Sequence, residues 1–173
     1  MRAIKCGLLT AAVVLAAGSA VADPPGRSEF DPGLRLKWPG TSSESSTVLP
    51  GDQVEIRTYS AIYTGKGPDG AVVYSAVVLE YPQAAVKDAS PEELLAAYVF
   101  ATRKHEVSRK SIEHGPAKLP GLDIVIRRDG RVTRRVVVAA GQRLYAVSVT
   151  AKGEALPDAA EVKEFIDSLA VGK

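Results

Sequence analysis

The sequence predicts an α+β domain, a mainly antiparallel β-sheet flanked by helices. Three observations carry that expectation. Leu122–Arg128 and Arg131–Ala139, both rich in Val or Ile, flank Asp129-Gly130, the dipeptide preferred in a two-residue hairpin turn. The stretches after Ser90 and after Leu156 instead place apolar residues at helical spacing behind helix-start residues. Strands come in runs broken by single helices, without the one-by-one alternation that the crossovers of a parallel sheet require.

The N-terminal residues 1–22 read as a secretory signal peptide. Met1-Arg2-Ala3-Ile4-Lys5 is a short basic start, and Cys6 to Ala17 is apolar apart from Gly7 and Thr10. Ala20-Val21-Ala22 then offers small residues for cleavage after Ala22. The apolar run is shorter than the roughly 20 residues a membrane-spanning helix needs. An uncleaved anchor is the alternative. A lipoprotein would carry its cysteine at the cleavage point, whereas Cys6 precedes the apolar run. Asp23 to Asp31 reads as a flexible leader, and residues 32–173 as a single α+β domain.

Within that domain, Leu34-Arg35-Leu36-Lys37-Trp38 alternates and stops at Pro39-Gly40, as a short edge strand does. Thr41 to Thr47, nearly all Ser, Thr and Glu, reads as a solvated loop. Val54 to Tyr63 is a β-branched and aromatic strand, and Gly65 to Gly70 a turn. Ala71 to Tyr81 is apolar on both parities, the pattern of a central strand covered on both faces. Ser90-Pro91-Glu92-Glu93 combines a cap, a first-turn proline and two acids at the positive helix end. Leu94, Leu95, Tyr98 and Val99 supply its apolar stripe, and the helix should fade near Val107. Ile112 to Lys118 reads as a weak strand. Leu122–Arg128 and Arg131–Ala139 flank the Asp129-Gly130 turn, and Arg143–Thr150 follows a second turn at Gly141-Gln142. A last helix starts at Leu156-Pro157-Asp158 and buries Val162, Phe165, Ile166 and Leu169.

Four stretches in this order resemble the PsbP-like family, named for the extrinsic subunit P of the photosystem II oxygen-evolving complex. They are Gly33-Leu34-Arg35-Leu36-Lys37-Trp38-Pro39-Gly40, Leu119-Pro120-Gly121, Arg143-Leu144-Tyr145-Ala146-Val147 and Phe165-Ile166-Asp167-Ser168-Leu169. The chain is similar to small exported bacterial members of unknown function, though members often carry Phe where this chain has Trp38. The resemblance spans about residues 30–173. It implies an α/β/α sandwich and a non-enzymatic accessory or binding role. It carries over no catalytic residue.

Removing residues 1–22 would remove the single cysteine, and with it disulfides, thiol catalysis and Cys-based zinc sites. It would also remove Arg2 and Lys5. The 22 basic and 20 acidic residues of the full chain then balance, so bulk charge gives no case for nucleic acid or a membrane surface. His105 and His114 lie nine apart beside Glu106 and Glu113, and a metal site would need them to converge with a third ligand. No P-loop, nucleophile elbow or zincin motif occurs after the signal, and the glycines from Gly65 to Gly70, although spaced as in a dinucleotide fingerprint, lie between two strands, where a hairpin loop explains them. No catalytic, cofactor or metal residue is therefore assigned.

Charge layout stands out. Residues 103–143 hold eleven Lys/Arg against four Asp/Glu. A two-residue turn at Asp129-Gly130 places Arg128 opposite Arg131 and Ile124 opposite Arg135. Strand alternation then puts Arg128, Arg131 and Arg135 on one face, with Val125, Val132, Val136 and Val138 on the other. Like charges directly opposite each other are destabilising unless solvated, paired or satisfied by an anion. The arginines are either a solvated hairpin tip or candidate anion-binding residues. The function expected is an exported, non-enzymatic accessory or binding domain that docks an envelope protein or an anionic glycan, with no cofactor implied. The alternatives are a structural component of an envelope assembly and a hydrolase-type enzyme with an unrecognised site.

Overall fold

The computed structural model describes residues 33–50, 55–67, 70–157 and 160–172. The expected signal peptide (1–22) and leader (23–31) lie outside the described residues. The strands are β1 (Leu34–Arg35), β2 (Ser43–Pro50), β3 (Glu55–Gly67), β4 (Gly70–Glu80), β5 (Glu106–His114), β6 (Leu119–Arg128), β7 (Arg131–Ala140), β8 (Arg143–Lys152) and β9 (Ala170–Val171). The helices are α1 (Gln83–Val86), α2 (Pro91–Val99) and α3 (Ala160–Asp167), with a 3₁₀ turn over Phe100–His105. Seven strands form one antiparallel sheet in the order β2-β3-β4-β8-β7-β6-β5, while β1 pairs with β9 apart from it. The α+β class is as the sequence predicts. Among the described residues no helix is long and apolar enough to cross a membrane.

The sheet has a helix on each face, and alternation decides which side chains meet which helix. On one face Tyr74, Ala76 and Val78 of β4 and Tyr145, Val147 and Val149 of β8 pack with Phe165 and Ile166 of α3. Leu34, Leu36 and Trp38 close that layer. On the other face Leu122, Ile124 and Ile126 of β6 and Val137 of β7 pack under Leu94, Leu95 and Val99 of α2. The stripe expected on α3 is buried throughout, whereas Tyr98 of α2 is half-buried.

The start of α2 is a complete capping box: the Ser90 hydroxyl accepts from the Glu93 amide at 3.1 Å, and the Glu93 carboxylate accepts from the Ser90 amide at 2.8 Å. Such a cap is worth about 1 kcal/mol. Ser90→Ala should therefore lower the melting temperature by about 2–4 °C, which differential scanning calorimetry reads. An unchanged value would show that α2 is held by packing alone.

Several boundaries differ from those expected. Thr41–Thr47 is not simply a loop: Ser43 onward pairs with β3 along the sheet edge, and the hydroxyls of Ser45 and Ser60 meet at 2.8 Å across the ladder. The backbone edge of β3 decides this, and a polar composition does not prevent it. Only Leu34–Arg35 of the first apolar stretch is strand, and it pairs with β9. Trp38 turns into the core against Phe165, with ring centroids 5.0 Å apart. The α-helix ends at Val99, eight residues before Val107. Thr102 donates its hydroxyl to the Val99 carbonyl at 3.0 Å, and β5 begins at Glu106 with a bulge before Ser108. The weak strand expected at Ile112–Lys118 is the end of β5, stopped by Gly115 and Lys118 at positive φ. In β4 only Val72, Tyr74, Ala76 and Val78 are fully buried. Val73, Ser75 and Val77 are half-exposed, because α2 lies over β6 and β7 and leaves this part of the second face open. Leu156 and Pro157 are not helical; the described last helix covers Ala160–Asp167, and residues 158–159 lie outside the described residues.

Candidate functional site

The β6–β7 tip is built by its turn. Asp129 has φ 52° and Gly130 φ 68°, the left-handed pair that a type I′ turn requires. The turn fixes the register, with Arg128 opposite Arg131 and Ile124 opposite Arg135. Arg128, Arg131 and Arg135 therefore do share a face, and Val132, Val136 and Val138 are buried on the other. The Gly153 amide donates to the Gly130 carbonyl at 2.9 Å and ties the tip to the chain leaving β8.

The three arginines are not one site. Arg135 lies four residues down β7 from Arg131, roughly 13 Å along the strand. Its guanidinium carbon sits 5.8 Å from the ring centroid of Tyr98, so this arginine belongs to the seat of α2. Arg128 and Arg131 are exposed at the tip. Arg128 donates to the Asp129 carboxylate at 3.0 Å, but its side chain stays 66% exposed and so keeps donors turned to water.

Two residues missed in the sequence complete the picture. Lys152, at the end of β8, stands directly opposite Arg131, so Arg128, Arg131 and Lys152 occupy three adjacent strands in one exposed row. Around the tip lies an open cleft of about 230 Å³ lined by Arg127, Arg128 and Arg131, with Asp129 and Glu154 also at its wall. Arg127, on the opposite face from Arg128, reaches Glu154 at 3.3 Å. The second missed residue, Arg134, points to the other face and holds Asp123 through two bonds of 3.1 and 2.8 Å. Those bonds raise the Arg134 guanidinium above its ordinary pKa, against the opposing effect of burial. This pair is held within the sheet, on the face away from the tip arginines.

His105 closes the 3₁₀ turn just before β5 and His114 ends that strand, roughly 30 Å away at the rise of an extended chain. They do not converge. Among the described residues no three His, Cys, Asp or Glu side chains gather closely enough to hold a metal ion.

No protein-family model matches the chain, and no curated protein does. Among solved structures, the chain is similar to a Pseudomonas aeruginosa protein of unknown function named as a candidate regulator. The two share 14% identity, the match covers 62% of this chain and 83% of that one, and the TM-score is 0.42.

Proposed function

We propose that the chain is an exported, non-enzymatic binding or accessory module that docks an anionic ligand, an envelope protein or an anionic glycan, through the cationic tip of β6–β7. The observation that carries this reading is the juxtaposition of Arg128, Arg131 and Lys152 on neighbouring strands, all exposed. Neighbouring strands lie about 5 Å apart, and like charges facing each other across a ladder cost stability. An anion spanning them removes that repulsion, and arginine suits carboxylate or phosphate through its paired donors. Export rests on the signal-like residues 1–22. The PsbP-like sandwich belongs to the same reading, and the helix on each face of the sheet supports it.

One experiment tests the reading. Protein recovered from outside the cytoplasm should begin at Asp23 by intact mass, and its capture on its native envelope fraction should weaken with added salt. Arg128→Gln/Arg131→Gln should lose most of that capture and its salt dependence, while Arg135→Gln retains both. Equal capture by the double variant would end the tip reading. A membrane-bound species retaining Met1 would end the export reading.

A further inference from the structure

The cationic row does not stop at Lys152. In β3, Lys66 stands opposite Ala71 of β4, and Ala71 and Lys152 line one small cleft where β4 and β8 run side by side. Alternation carries all of them onto the face that holds Arg128. The row therefore reads Lys66, Ala71, Lys152, Arg131, Arg128 across five consecutive strands β3-β4-β8-β7-β6, and every member is exposed. From Lys66 to Arg128 it spans four strand spacings, about 19 Å. The one member without charge is alanine, small enough to let a chain lie flat across β4. The next row down offers the hydroxyls of Thr64, Thr150 and Thr133, the last two 2.8 Å apart. Helix α2 packs over β6 and β7 further down the strands, on Leu122, Ile124 and Val137, and leaves the row uncovered.

We infer that this row is a binding track for a linear acidic polysaccharide, laid across the strand ends with its carboxylates on the four cations. The inference rests on the anion-docking reading above and names the ligand class of that site. Three features select it. The cations stand in one register row on four of five neighbouring strands, which fits a polymer bearing repeated charge. The threonine row beside them gives hydrogen-bonding partners for sugar hydroxyls. No aromatic side chain stands in either row, so the stacking that single-stranded nucleic acid uses is missing. The large exposed hydrophobic residues among those described are Val48, Phe100 and Val107, none of them in the track, so nothing there enters a bilayer.

The test measures binding of polygalacturonate to the full chain by biosensor, with dextran as the neutral control. Vesicles containing phosphatidylglycerol and a thymidine oligonucleotide serve as the other anions. Polygalacturonate should bind, dextran should not, and added sodium chloride should weaken binding steadily. Lys66→Gln and Lys152→Gln should each weaken it roughly two- to five-fold, the range for an exposed charge pair. Lys66→Gln/Lys152→Gln/Arg131→Gln should weaken it more than ten-fold, and Lys163→Gln on α3 should not change it. Circular dichroism of each variant confirms that the sheet is intact. If binding needs Arg128 and Arg131 but ignores Lys66 and Lys152, the track is wrong and the anion-docking tip survives. If the vesicles or the oligonucleotide bind through the row and polygalacturonate does not, the polysaccharide assignment is wrong. If arginine-dependent envelope capture also fails, both readings fall together.

Discussion

Phe165→Ala is expected to remove about 3–5 kcal/mol of stability, the range for a buried Phe truncated in a core. The ring is 1% exposed and sits where three parts of the chain meet. It packs at 5.0 Å on Trp38 from the segment after β1 and edge-on at 5.3 Å on Tyr74 of β4. Its loss would leave a void under α3 that the sheet cannot fill by collapse, because Tyr74 is fixed in the β3–β4–β8 ladder. Trp38 is the only tryptophan, so its fluorescence reports directly on this layer. In a urea titration the midpoint should move far to lower denaturant, with the slope unchanged. A midpoint equal to that of the wild type would remove α3 from the core.

Ile124→Ala is expected to cost about 2–5 kcal/mol through the opposite face. Ile124 is fully buried on β6 among Leu122, Ile126 and the underside of α2. The two substitutions share no partner, since one lies under α3 and the other under α2. Their effects should therefore add. Together they approach the whole stability of a typical domain, about 5–15 kcal/mol. Chemical denaturation of the two single variants and the double variant checks both the sizes and the sum. A double variant clearly more stable than the sum would show that the two faces are not independent layers.

Much of this architecture is written in short-range signals. Asp129-Gly130 dictates a type I′ turn by local sterics, and the turn alone fixes which arginines face each other. Ser90-Pro91-Glu92-Glu93 sets the start of α2 through bonds within four residues. What escaped the sequence was decided at long range. Ser43 to Thr47 has the composition of a loop and becomes strand because β3 presents an open edge to it. The sequence groups Arg135 with the tip arginines because its face is local information, while the Tyr98 ring that claims it arrives from α2. Lys152 was within reach: the Gly141-Gln142 turn places it opposite Arg131 by the same counting used for Arg128. Lys66 was not, because its place in the row depends on β4 pairing with β8, which no local signal announces.

That β4–β8 pairing divides the sheet into two meanders, β2-β3-β4 and β5-β6-β7-β8, each closed by short connections. The ladder between Glu80 and Arg143 instead closes a loop of about 60 residues, and closure entropy grows by about 0.6 kcal/mol for each doubling of loop length. The seam thus costs roughly 3 kcal/mol more to close than a two-residue turn. Lys66 belongs to the first meander, and Lys152, Arg131 and Arg128 to the second. Neither half of the chain carries the full line of charge by itself; it comes into being only when the seam has formed. A polyanion gripping all four cations would act as a clamp across the seam, holding the halves together by binding the assembled sheet and not its parts.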